Sequence, residues 1–129
     1  MLFRSDHATE PVTRLQLAGA GIALPASIDT VLSANEQPDW DFDKGRRRQF
    51  IAQSYRVLML FGDDLGDFIS EYRTAPHARV LEAKKHNNWG TKWFMLPNPM
   101  YGSWETSLHN FSSELELEEI SRRKLEHLR

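Results

Sequence analysis

An α/β fold, with a parallel sheet flanked by helices, is what this sequence predicts, and three features predict it. Val57-Leu58-Met59-Leu60-Phe61 is a continuous apolar run stopped by Gly62-Asp63-Asp64. Trp93-Phe94-Met95-Leu96 is a second such run, stopped by Pro97-Asn98-Pro99. Segments with helical signals stand before and between them. Continuous rather than alternating apolar character marks a strand covered on both faces, as in a parallel sheet under helices. A run this short, halted by glycine and acids, favours a strand over a buried helix.

The remaining elements follow in chain order. Residues 9–18 read as a short helix, with Pro11 tolerated in the first turn and Gly19 and Gly21 ending it. Residues 29–33 are expected to form a short strand, and Asn35-Glu36-Gln37-Pro38-Asp39 a polar loop. Residues 45–54 form a basic amphipathic helix whose apolar side is Phe50 and Ile51. Residues 65–70 begin another helix. In the tail, Ser113 and Glu116 have capping-box spacing, and Glu118–Arg122 and Glu119–Arg123 are pairs four apart. Residues 113–129 are therefore expected to be a peripheral charged helix beside a main domain of residues 1–112.

Composition narrows the classes. The chain has 129 residues, 40% hydrophobic and 26% charged, which is ordinary for one globular domain. A formal net charge of −2 gives no global field that recommends nucleic acid or an anionic membrane. There is no cysteine, which excludes disulfides, thiolate metal sites and cysteine nucleophiles. No stretch approaches the roughly 20 apolar residues of a membrane span, and the first residues lack the pattern of a signal peptide.

The chemistry concentrates at the first apolar run. In open α/β sheets ligands sit beyond the carboxyl ends of strands, and Gly62-Asp63-Asp64-Leu65-Gly66-Asp67 occupies that place. Asp63 and Asp67 are four apart, so a helix starting near Asp64 puts both on one side of its first turn. Two carboxylates there suit Mg2+, which takes one or two carboxylates, waters and substrate phosphate. The plainer account is that Asp64 and Asp67 cap the following helix. Upstream, Lys44 precedes Gly45-Arg46-Arg47-Arg48 and offers a point charge for phosphate beside a helix amino terminus, or simply an exposed helix face. Asp39-Trp40-Asp41-Phe42-Asp43 alternates acids as a nucleophile motif would, but no apolar strand precedes it and Pro38 interrupts the approach.

Lys44, Gly62-Asp63-Asp64-Leu65-Gly66-Asp67-Phe68 and Leu96-Pro97-Asn98-Pro99-Met100-Tyr101-Gly102-Ser103-Trp104-Glu105 together resemble the bacterial acid phosphatase and 5′-nucleotidase branch of the haloacid-dehalogenase (HAD) superfamily, including its lipoprotein phosphatases. The resemblance runs from about His7 to Trp104 and implies a Rossmann-like fold. It implies Lys44 as the phosphate-holding lysine, Asp63 and Asp67 as ligands of Mg2+, and Asn98 and Tyr101 as substrate-binding residues. Tyr101 is equally read as a packed turn aromatic. It further implies a small phosphomonoester substrate, such as a nucleoside monophosphate, and an exported protein, although no export signal stands in this chain.

The sequence departs from the family at two motifs. No Asp-x-Asp stands on a strand, and Met1-Leu2-Phe3-Arg4 lies where a Thr or Ser should end the second strand. The nucleophile strand and cap are therefore expected to be missing, leaving the carboxyl-terminal part of a HAD-like fold and an inactive chain. The rival expectation is a non-catalytic remnant that pairs its exposed sheet edge with a second copy. A nucleic-acid module using Arg46, Arg47 and Arg48 is the weakest reading, since charge and motifs both speak against it.

Overall fold

The computed structural model describes residues 1–127, apart from the side chains of residues 3 and 4. It divides into two compact units, Met1–Val57 and Leu58–Arg129. Each contains a short two-stranded parallel sheet with helices.

In the first unit, β1 (Leu2–Asp6) pairs in parallel with β2 (Leu32–Ala34). The sequence does not announce β1, and the side chain of Arg4, at the divergent second motif, lies outside the described residues. Between the strands runs α1 (Glu10–Gly19), with proline in its first turn as expected. Gly21 beyond it takes a φ of 77°, a conformation open to glycine and strained for other residues. The strand expected at 29–33 begins later, at Leu32, for a local reason. The Asp29 carboxylate accepts the Val31 N–H at 3.1 Å and an Arg14 Nη2–H at 2.5 Å, so residues 29–31 turn before the ladder starts. Val31, Leu32, Ala34 and Trp40 are buried.

Helix α2 (Gly45–Ser54) has the predicted bounds, but its sides are not as predicted. Arg47 is its fully buried residue, with Nη2 donating to the carbonyls of Asp41 and Asp43 at 3.1 and 3.3 Å. Phe50 is half exposed and meets the buried Trp40 ring edge-on at 5.1 Å. A guanidinium can reach two carbonyls at the loop's end, which a pattern of apolar spacing does not register.

In the second unit, β3 (Leu60–Gly62) pairs in parallel with β4 (Trp93–Met95) in the register Leu60–Trp93, Phe61–Phe94 and Gly62–Met95. The two apolar runs are thus neighbouring parallel strands, as read from the sequence. The first is shorter than its run, because β4 offers only three partners and Val57, Leu58 and Met59 stand outside the ladder. Cover on both faces is not what these residues provide. Phe61 is 61% exposed and stacks on Phe94, with ring centroids 5.0 Å apart. The other side packs on a core of Leu65, Phe68, Ile69 and Tyr72, joined by Leu60, Ala83, Trp89 and Trp93.

Residues 65–70 are not the start of an α-helix but a single 3₁₀ turn over Leu65–Asp67. The buried residues keep helical spacing, yet the chain leaves the turn after Asp67 and brings the Tyr72 ring against Gly66, where a Cβ would stand 3.0 Å from the ring. Two helices escaped the sequence reading: α3 (Pro76–Lys84) and α4 (Ser103–Ser107). The tail helix α5 (Leu117–Glu126) starts later than expected, with Glu116 as its N-cap and no side-chain cap bond. Ser112 rather than Ser113 turns the chain there, its Oγ accepting the Glu114 N–H at 3.3 Å. Among the described residues no helix is long and apolar enough to cross a membrane.

Glu119 on α5 accepts from Arg122 twice at 2.8 Å and from Arg123 at 2.6 Å, and these bonds bring its carboxyl down to about 2. A lowered carboxyl pKa contributes above the ordinary 4.5 and loses that contribution as pH falls through about 2. The expected NMR titration of Glu119 therefore has its midpoint near 2 rather than 4.5. An ordinary midpoint would show that the pairs do not hold in solution.

Candidate active site

The carboxyl end of β3 delivers three acids into one turn, and their partners give them different work. Asp67 Oδ2 accepts the N–H groups of Asp63 and Asp64 at 2.9 and 3.0 Å. Asp64 Oδ1 accepts the Gly66 N–H at 2.8 Å, completing a capping box with Asp67. The capping account of Asp64 and Asp67 is therefore present in the structure. The turn needs glycine at 62, because a Cβ there would stand 2.4 Å from the Asp67 Cβ and Oδ2.

Asp63 has a different partner. Its side chain takes no part in the cap and is exposed beyond the strand end. Asn98, just past β4, donates from Nδ2 to Asp63 Oδ2 at 2.7 Å. The two strand ends thus bring Asp63 and Asn98 to one rim, as the parallel pairing requires. Asn98 Oδ1 accepts the N–H groups of Met100 and Tyr101 at 3.2 and 3.3 Å, and its carbonyl accepts the Trp104 Nε1–H at 3.1 Å. One asparagine therefore shapes the Pro-Met-Tyr-Gly-Ser-Trp turn and fixes the Asp63 carboxylate. Tyr101 projects from that turn, 69% exposed.

Behind the rim lies a buried network that the sequence reading missed. Asp64 Oδ2 accepts the Ser103 N–H at 2.5 Å, and Oδ1 accepts the Ser103 hydroxyl at 2.6 Å. Arg79, on α3 and 8% exposed, donates from Nη2 to Ser103 Oγ at 2.8 Å and from Nη1 to the Tyr72 carbonyl. Burial pushes the Arg79 guanidinium below its usual range, and the Asp64 charge opposes that. Gly102 permits the close approach, with a φ of 153° and no room for a Cβ, which would stand 2.9 Å from Asp64 Oδ2. The available signal was Ala75-Pro76, a helix start with proline in the first turn, followed by a lone arginine among apolar neighbours.

Lys44 belongs to the first unit, where it is half-buried at the N-cap of α2. Asp41 and Asp43 lie in the preceding loop. Asp41 Oδ1 accepts the Asp43 N–H at 2.7 Å and Asp43 Oδ1 the Gly45 N–H at 2.6 Å, the bonds of turn-forming acids rather than of nucleophiles on a strand.

A family model described as HAD superfamily, subfamily IIIB (Acid phosphatase), matches residues 4–104. The chain belongs to this family. It is similar to the structure of the Class C acid phosphatase from Bacillus anthracis, with a TM-score of 0.80 and 23% identity over 99% of this chain and 52% of that one. It is similar also to that phosphatase with tungstate bound, at a TM-score of 0.81 and 23% identity, covering 99% of this chain and 53% of that one. These likenesses show the fold, a HAD-like α/β fold of which this chain spans about half the length. No curated protein matches the chain.

Proposed function

We propose that this chain carries the charge-stabilising part of a magnesium-dependent phosphomonoesterase acting on small phosphate esters, such as nucleoside monophosphates. The observation that carries the reading is Asp63, an exposed carboxylate at a strand end with its orientation fixed by Asn98. A carboxylate held by a hydrogen-bond donor is how metal ligands are commonly oriented, and an all-oxygen donor set fits a hard cation. Asp63 and Asp67 would hold Mg2+, Asp67 while also closing the turn. Bound Mg2+ would neutralise charge on the phosphoryl oxygens. Lys44 is assigned to the phosphate, where an ammonium beside a helix amino terminus suits an anion. Asn98 and Tyr101 are assigned to the substrate. Tungstate, named for one similar structure, is a tetrahedral oxyanion like phosphate.

The direct test is Mg2+ titration of the chain followed by NMR of the Asp63 and Asn98 backbone amides. The expected result is weak, saturable binding that Asp63→Asn weakens about tenfold or more, the size of effect seen when a metal site loses a supporting group. Binding of equal strength in that variant would remove Asp63 from the metal site.

A second reading, self-association, is favoured by the apolar residues in and around the two short strands, where Leu58, Met59, Phe61, Met95 and Leu96 are each 46–61% exposed. Sedimentation equilibrium should then show a concentration-dependent dimer that Phe61→Asp disperses. A monomer at all concentrations rejects it.

A further inference from the structure

We propose that His7, Glu10 and Glu36 form a separate site for a divalent first-row transition ion of the Zn2+ type, at the carboxyl ends of β1 and β2. One ligand atom from each of the three lies within 4.8 Å of the others. His7 follows β1 directly, Glu10 opens α1 one turn later, and Glu36 follows β2, so the parallel pairing of the strands assembles the cluster. His7 Nδ1 stands 2.9 Å from Glu10 Oε2.

Two features distinguish the cluster from a chance gathering of acids. Each carboxylate has one oxygen held from behind: Glu10 Oε1 accepts the Arg14 Nε–H at 2.7 Å, and Glu36 Oε2 accepts the Ser33 N–H at 2.9 Å. Such supporting donors fix the direction in which a ligand presents itself. The second feature is Ser33. It is completely buried, its Oγ makes no hydrogen bond within the described residues, and it faces the Glu10 carboxylate. A buried hydroxyl without a partner costs about 1–3 kcal/mol, and an ion or its bound water beside Glu10 would supply the partner.

The donor set names the ion class. An imidazole nitrogen with carboxylates suits Zn2+ and its first-row neighbours, whereas Mg2+ prefers oxygen throughout. Three protein ligands on a partly exposed rim leave the fourth position to water. This site shares no residue with the one assigned to Mg2+, and it stands or falls separately.

The experiment is competition for Zn2+ between the full chain and a chromophoric chelator, repeated with His7→Ala, Glu36→Gln and Asp63→Asn, with circular dichroism to check folding. One equivalent of Zn2+ should bind, His7→Ala and Glu36→Gln should each weaken it about tenfold or more, and Asp63→Asn should leave it unchanged. Absence of saturable binding, or binding that survives both of the first two substitutions, overturns the proposal. Should either variant unfold, the His7 imidazole resonance of the unmodified chain decides. It must shift on addition of Zn2+, and a resonance that stays in place overturns the site.

Discussion

Replacing Arg79 with alanine should destabilise the second unit by about 1–3 kcal/mol, the usual cost of leaving buried hydrogen-bonding groups without their partner. Whole proteins are stable by only about 5–15 kcal/mol, so the loss should be visible as a large fall in melting temperature. The reason lies in what remains behind. Ser103 Oγ stands between Arg79 and Asp64, accepting from the first at 2.8 Å and donating to the second at 2.6 Å. Without the guanidinium, the Tyr72 carbonyl loses its donor and the half-buried Asp64 loses the nearby positive charge. The damage reaches the rim as well, because Asp64 and Asp67 share the cap that shapes the turn below Asp63. Arg79→Lys should recover only part of the loss, since an ammonium lacks the planar fork that serves Ser103 and Tyr72 together. Urea denaturation measures both. A change under about 1 kcal/mol for Arg79→Ala would be that of an exposed pair and would show that the network is not buried in solution.

The same network shows where the sequence stops being legible. The strand runs and α2 could be read because their signals are local: an apolar run, a glycine, a lysine before a helical stretch. Asp63, Asp64 and Asp67 could be read as a group for the same reason. What separated them was not local. Asn98, which orients Asp63, is 35 residues away, and Ser103, which holds Asp64, is 39 away. Arg79 meets its serine across 24 residues. No window of neighbours contains those pairings. The apolar run at 57–61 taught a different lesson. Its continuity predicts cover on both faces, and these 129 residues leave Phe61 and Leu58 largely exposed. Continuous apolar character records the surroundings for which a strand is suited, which is more than this chain supplies about itself.

That argument bears on activity. The 129-residue chain assayed alone should show no appreciable phosphatase turnover, even with Mg2+ present. Covalent phosphoryl transfer needs a carboxylate in line with phosphorus as well as charges to stabilise the transition state. The aspartates of the two acidic loops have other work. Asp41 and Asp43 bond to backbone N–H groups in a loop, Asp64 and Asp67 close a turn, and Asp63 is assigned to the metal. None stands in an Asp-x-Asp pair directly at the end of a described strand. Removing a covalent nucleophile costs several orders of magnitude in rate, and what survives is the modest contribution of binding and charge stabilisation. The assay is hydrolysis of a chromogenic phosphate ester at mildly acid pH, with and without Mg2+, on the chain and on Asp63→Asn. Turnover above background that disappears in Asp63→Asn would show a catalytically complete chain with its nucleophile among residues assigned other work here. Turnover equal in both would trace to a contaminating phosphatase, and repurification should remove it. With neither, fusing to the chain a segment that bears an apolar strand ending in Asp-x-Asp should raise the rate from background by several orders of magnitude. In that fusion Asp63→Asn should abolish the gain, which ties the acidic rim of β3 to the chemistry rather than to the fold.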